Sequence, residues 1–226
     1  MKKLVNNTII VAILFTVLSC SKDDLPNAFP SDYEDYQTKT ALELPFNNEW
    51  WVFWGGRTVE QNYHAAYEVQ RYATDIVKRV GGSTHAGNGS SNEDYYCFGK
   101  PLNAPGNGTV ISVLNTIEDN IPGKFNRDTP EGNYVVIDHQ NGEFSMLAHF
   151  KKGSIIVSVG DEVVKGQELG KVGNSGNSSE PHLHYQLQTE ANPMDGVGLP
   201  AQFLNYYADD VFIDRGEPVR SQYIKK

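Results

Sequence analysis

In 226 residues there are only two cysteines, three methionines and three tryptophans. So few cysteines exclude a disulfide-stapled scaffold, and without a Cys-x-x-Cys pair there is no zinc ribbon or dithiol redox motif. Basic residues are also scarce. Nineteen Lys+Arg face 28 Asp+Glu, a net charge of −9, which argues against nucleic acid, whose phosphates need a basic face. No apolar run reaches the roughly 20 residues that span a bilayer, and no long stretch repeats with the period of an amphipathic helix. His-Glu-x-x-His and Gly-x-Ser-x-Gly are missing. The Gly173-Asn-Ser-Gly176 loop lacks the following Lys-Ser/Thr of a phosphate-binding loop. What is present is an ordinary globular composition, 39% hydrophobic and 21% charged. Its 21 glycines and 12 tyrosines lean toward strands and turns, and its length suits one domain.

The first nineteen residues differ from the rest. Lys2 and Lys3 precede an apolar run of twelve, Thr8 to Ser19, which suits the core of a signal peptide and is too short for a permanent span. It ends Val17-Leu18-Ser19-Cys20, which resembles the lipobox of bacterial lipoproteins. That resemblance implies cleavage before Cys20 and a lipid on its thiol; the alternative is a plain secretory signal. Cys97 would then be the sole cysteine, with no intrachain disulfide open to it. Losing two lysines takes the net charge from −9 to −11. Ser21-Lys22-Asp23-Asp24 resembles the surface-export signal of Bacteroidota lipoproteins, which implies an outer-membrane lipoprotein of a Gram-negative envelope; a solvated acidic linker is the alternative. Residues 20–44, with Pro26, Pro30 and several acids, read as a tether.

From 45 to 226 the pattern is mainly β, in one domain of small antiparallel sheets. Trp50, Trp51, Phe53 and Trp54 open it as core or an edge cap. Arg71 to Val80 is a β-branched run, and residues 81–94 form a long Gly/Ser/Asn-rich loop. Asn141-Gly142 between two apolar runs predicts a two-residue hairpin turn that pairs Gln140 with Glu143 and Tyr134 with His149. His182 to Gln188 is the last clear strand, and Ala201 to Tyr207 is a candidate short helix.

All six histidines lie between 64 and 184. On a strand, alternate residues share a face, so His182, His184, Gln186 and Gln188 face one way while Leu183, Tyr185 and Leu187 face the core. Two imidazoles on a polar face suit a zinc ligand beside a general base; a merely solvated face is the alternative. On the hairpin, His149 lies at the open end, sharing a face with Leu147 and Ser145. His139 lies beside the turn on the opposite face, so one site cannot use both, and the strand running inward favours His149. His139 and His85 read as non-catalytic, and Cys97 as inert. Asp75, inside a β-branched stretch, needs a metal or a salt bridge with Arg71 or Arg79. His64 lies eleven residues earlier.

Gly173-Asn-Ser-Gly-Asn-Ser-Ser-Glu-Pro-His182-Leu-His184 resembles the terminal motif of lysostaphin-type (LytM-like) zinc endopeptidases. Ala148-His149 resembles their second motif, Gly99 to Gly108 their opening strand, and Val159 to Gly166 their glycine-cornered hairpin. The resemblance covers roughly residues 60 to 190. It implies a barrel-sandwich-hybrid fold with a groove, one Zn²⁺, and hydrolysis of peptide bonds in peptidoglycan cross-links by a monomer. Carried over, Asp75 and His184 match metal ligands, and His182 and His149 match catalytic histidines. One departure stands out. The family shows His-x-x-x-Asp, whereas the position four before Asp75 is Arg71, which stays protonated and cannot bind a metal. His64 is assigned to the vacant role. A non-catalytic wall-binding or regulatory lipoprotein on the same fold is the alternative. Loop 81–96, with Tyr95 and Tyr96, is a candidate groove wall; ordinary packing of the two tyrosines is the alternative. The Val-Gly-Asp-x-Val-x-x-Gly hairpin also resembles lipoyl carriers, but that leaves His-Leu-His unexplained.

Overall fold

The computed structural model describes residues 32–193 and 195–226. The expected signal segment, Cys20 and the Ser21-to-Asp24 run lie outside the described residues. Thirteen strands follow in chain order: β1 (Trp50–Trp54), β2 (Thr74–Val77), β3 (Pro101–Asn103), β4 (Gly108–Leu114), β5 (Asn133–Asp138), β6 (Phe144–Phe150) and β7 (Glu162–Val163). Then come β8 (Glu168–Lys171), β9 (Leu183–Gln188), β10 (Gly198–Leu199), β11 (Phe203–Ala208), β12 (Val211–Gly216) and β13 (Tyr223–Lys225). Among the described residues the helical pieces are two short 3₁₀ turns, Tyr63–Ala66 and Asn92–Asp94. The large sheet runs β12-β11-β13-β1-β2-β9-β6-β5-β4-β7, with β10 on β9, and its pairings are antiparallel; β3 and β8 form a separate pair.

Alternation in β9 sorts its side chains as expected. Leu183, Tyr185 and Leu187 sit in the main core with Leu147, Phe150, Val135 and Ile137. The opposite face of the central strands carries a small apolar cluster, Val136, Met146 and Ala148, and His184 and His149 lie on this side.

The structure corrects four expectations. First, residues 36–44 are packed on the domain. Leu42 and Leu44 are buried in the main core, and Leu42 forms a parallel bridge with Phe203. Thr38 donates its hydroxyl to Pro200 O at 2.7 Å, and the Tyr36 hydroxyl and the Lys39 and Thr40 amides donate to the buried Glu143 carboxylate. The segment lacks periodicity because it pairs only at single points, so pattern reading missed it. Leu42→Ala is expected to destabilise the domain by about 2–5 kcal/mol in urea unfolding; a tether residue would be neutral.

Second, the hairpin turn is one residue longer than Asn-Gly. Asp138 pairs with Phe144, the His139 amide donates to Glu143 O at 3.0 Å, and Gln140 and Gly142 take left-handed φ of 60° and 83°. Tyr134 therefore faces Ala148 rather than His149. Tertiary contacts select this turn: the strap holds Glu143, and the Asn141 amide donates to Thr40 Oγ1 at 3.0 Å.

Third, residues 203–208 form strand β11, not a helix. Asn205 has φ 52°, which interrupts the alternation. Phe203 and Tyr206 both face inward, a three-residue spacing that imitates a helix. Fourth, the 81–94 loop is tied down by a capping box between Ser91 and Asp94 and a bridge between His85 and Tyr95. The loop reaches the groove through Thr84 alone of its residues, while Tyr95 is buried and neither tyrosine lines the groove, so the packing alternative holds for them.

Candidate metal centre

The site forms where three neighbouring strands and one 3₁₀ turn meet. Asp75 on β2 stands directly opposite His184 on β9, and Ala148 on β6 is opposite His184 from the other side. A carboxylate and an imidazole thus become cross-strand neighbours through register alone. His64 arrives from the Tyr63–Ala66 turn. Asn62 caps that turn by accepting the His64 amide at 3.2 Å. Its own NH₂ donates to Ala73 O at 2.8 Å and Gly56 O at 3.1 Å, tying the turn to the chain entering β2. The ring of Tyr63 lies 4.0 Å from that of His64, tilted by 34°.

His149 reaches the site by breaking a rule. Strict alternation would place it on the Leu147 face, inside the main core. It has φ 64°, and the pairing register shifts by one residue between Asn133 and Tyr134. His149 is the extra residue of a β-bulge, and the bulge swings its ring to the Ala148 side while Phe150 returns to the core. Left-handed backbone at a non-glycine residue costs on the order of 1–3 kcal/mol and concentrates at functional positions. The Gly173-Asn-Ser-Gly176 motif supports this arrangement. A Cβ on Gly173 would sit 2.3 Å from Lys151 backbone, and one on Gly176 would sit 2.4 Å from Gly132 N. Only glycine allows these close crossings, and they bring Ser175 O to 2.7 Å from His149 Nδ1.

The resulting cluster is compact. His64 Nε2 stands 3.1 Å from Asp75 Oδ2, and His184 Nδ1 stands 2.9 Å from Asp75 Oδ1. One ligand atom from each of His64, Asp75 and His184 falls within 4.8 Å of the others, and all three residues are buried. His182 Nε2 lies 3.6 Å from Asp75 Oδ1. The His149 and His182 rings are 4.7 Å apart. Among the described residues the ionic partners of Asp75 are histidines. The alternative salt bridge with arginine is not formed: Arg79 stacks on Trp51 at 4.1 Å, and Arg71 is buried with its Nε unpartnered and lies outside the groove lining.

Electrostatics follow this geometry. Burial alone would raise the Asp75 carboxyl, but attraction from His64 and His182 and hydrogen bonds from His184 and His64 outweigh it and hold it well below its ordinary range. Burial presses His149 well below a usual imidazole, with repulsion from His182 and His184 adding to it. Burial also disfavours charge on His184, yet its hydrogen bond with Asp75 and that carboxylate's field raise it. A negative group ringed by imidazoles, with no fixed cation, is a place prepared for one.

Asp75 and His184, with His149 and His182, open onto a groove of about 450 Å³, while His64 lines a smaller adjoining cavity. Phe53, Trp54, Tyr63 and Phe125 supply aromatic walls, Thr84 and residues 177–180 close one side, and among the described residues no lysine or arginine lines the groove. Trp54, a candidate for core or an edge cap, is a wall residue because β1 adjoins β2, where it pairs with Asp75. Trp50 alone of the cluster is fully in the core. His139 and His85 stand apart. His139 bonds Asn107 O and Ser145 Oγ, each at 2.7 Å, and His85 lies against Tyr95. Cys97 is buried, and its thiol is pushed up to about 12, chiefly by burial.

Residues 93–196 match the description "Peptidase family M23". That stretch holds His149, His182 and His184, and it begins after His64 and Asp75. Over 100 residues the chain is 34% identical to peptidoglycan DD-endopeptidase ShyA of Vibrio cholerae, covering 44% of this chain and 20% of that protein. It is 35% identical over 68 residues to DD-carboxypeptidase/endopeptidase Mpg of Neisseria meningitidis, covering 30% of this chain and 15% of that protein. The matched stretch thus spans about a fifth or less of those relatives. The catalytic domain of lysostaphin from Staphylococcus simulans superposes with a TM-score of 0.38 at 19% identity, covering 67% of this chain and 88% of that domain.

Proposed function

Taking the M23 match over residues 93–196 as the premise, we propose that this chain is a zinc-dependent endopeptidase acting on peptide cross-links of peptidoglycan. The observation that carries the reading is the buried His64–Asp75–His184 cluster, whose Asp75 and His184 line an open groove beside two further histidines. Two imidazole nitrogens and a carboxylate are the donor set of catalytic zinc sites, which leave further positions open. Zinc there would act as a Lewis acid on a peptide carbonyl and bring the pKa of water near 7.

The remaining work falls to the chain's own groups. His149 donates its Nδ1–H to Ser175 O, which leaves Nε2 as a proton acceptor. His182 Nδ1 is 2.8 Å from Glu180 O, which again leaves Nε2 for the reacting atoms. Two fixed imidazoles on one side of the cluster can take a proton from water and donate to the oxyanion or the leaving amine. The aromatic walls exclude water and orient an extended peptide. Without a basic lining, the groove cannot grip anionic wall polymers by charge, and recognition falls to shape and hydrogen bonding. Purified peptidoglycan incubated with the zinc-loaded protein is expected to release peptides with new amino termini. Protein free of zinc that still binds sacculi would favour the non-catalytic alternative.

The N-terminal sequence supports a membrane-anchored lipoprotein, tethered through Cys20 to the outer membrane of a Gram-negative envelope. Labelling cells with radioactive palmitate is expected to mark the wild type and leave Cys20→Ala unlabelled. Equal labelling of both would remove the anchor.

A further inference from the structure

The two imidazoles of the metal cluster need opposite tautomers. In the structure both nitrogens face Asp75 oxygens; to hold a metal instead, His64 would ligate through Nε2 and carry its proton on Nδ1, whereas His184 would ligate through Nδ1 and carry its proton on Nε2. Each outward nitrogen meets a glutamine oxygen. Gln70 Oε1 lies 2.9 Å from His64 Nδ1, and Gln186 Oε1 lies 3.0 Å from His184 Nε2.

The second contact is anchored further back. Gln188 Nε2 donates to Glu190 O at 2.6 Å and to Asn192 O at 3.0 Å. Backbone carbonyls can only accept, so the Gln188 NH₂ group must point at them and its oxygen must point at Gln186. Gln186 then donates its own NH₂ to Gln188 Oε1, and its oxygen is left facing His184. The direction of this buried relay is fixed by two carbonyls at the end of β9; it holds the His184 proton on Nε2 and leaves Nδ1 as the nitrogen available to a metal in place of its contact with Asp75. Gln186 and Gln188 are each almost wholly buried, where an unsatisfied amide would be costly. On the polar face of β9 the spacing 184, 186, 188 is therefore a chain of command as well as an alternation.

We propose that Gln70 and the Gln186–Gln188 relay are positioning residues for zinc: they select the tautomer of each histidine ligand and hold its ring in place. This rests on the zinc reading above. Outer partners of ligating histidines typically contribute about 10–100-fold in metal affinity. Here both are neutral amides rather than carboxylates, so the ligand set adds only the single negative charge of Asp75 and leaves the metal more electrophilic.

The test is a zinc titration against a chelating competitor, on full-length protein with Gln186→Met, Gln186→Glu, Gln70→Met and Gln70→Glu, alongside apo-state melting curves. The methionine variants remove the acceptor at similar volume and are expected to bind zinc about 10–100-fold more weakly. The glutamate variants keep an acceptor and are expected to hold zinc at least as tightly as wild type, even though Gln186→Glu loses its donor to Gln188 and lowers the apo melting temperature. That separation of affinity from stability is the signature a merely structural role lacks. Wild-type affinity in both methionine variants would overturn the proposal, and so would equal weakening by Met and Glu at both positions. Gln70 is half-buried on a loop, so its pair decides the matter if Gln186→Met does not fold. A wild-type protein that takes up no zinc would overturn the functional reading first, and this inference with it.

Discussion

His184→Ala is expected to lose both stoichiometric zinc and peptidoglycan digestion. The substitution removes the one nitrogen that Asp75 meets across the strand pair, and it leaves the glutamine relay pointing at empty space. Lewis-acid stabilisation of a developing oxyanion supplies several kcal/mol, so at about 1.4 kcal/mol per tenfold the rate should fall by roughly a thousandfold or more. Metal content of the purified variant, measured beside release of new amino termini from sacculi, checks both halves. Undiminished cleavage by this variant would sink the endopeptidase reading. Folding should survive, because Leu183 and Tyr185 on either side keep β9 seated in the core.

His149→Ala is expected to behave differently: full zinc occupancy with a collapsed rate. His149 lies outside the three-residue metal cluster, and its ring meets His182 and His184 at 4.7 and 5.7 Å. Loss of a positioned general base or acid costs about 10²–10⁴-fold. The loss should appear in kcat with KM little changed, because the group acts on the transition state rather than on binding. Initial rates measured over a range of substrate concentrations, with metal analysis of the same sample, separate this from a ligand defect. If zinc leaves together with activity, His149 belongs to the ligand set, and the division between metal-holding and proton-transferring histidines is wrong.

The two variants mark where sequence reasoning reached and where it stopped. The His182-Leu-His184 face was readable because a strand's period of two admits one sorting when leucine and tyrosine occupy the other face. Asp75 was readable because a carboxylate among β-branched residues needs a partner. His64 was harder: the usual spacing points to Arg71, and nothing local says that a turn eleven residues upstream folds back. Asn62 makes that link through Ala73 O, a contact without a periodic signature. The choice of His149 over His139 came from the strand running inward, while alternation alone buried its ring. The bulge was hidden because a left-handed residue changes the face without changing the sequence pattern.

By itself the sequence determined the β class and the polar and apolar faces of β9, since these follow from local period; the glycine requirement at 173 and 176 comes from crossings with Lys151 and Gly132. The sequence also placed every member of the cluster among its candidates. Only the tertiary structure decided that residues 36–44 belong to the folded body, that the 140–142 turn adds a residue, and that a bulge turns His149 toward Asp75. It alone joined Gln70 and Gln186 to the two histidines they support. Each of these depends on groups far apart in the chain competing for the same hydrogen bonds. That competition is settled by packing, and no window of neighbouring residues contains it.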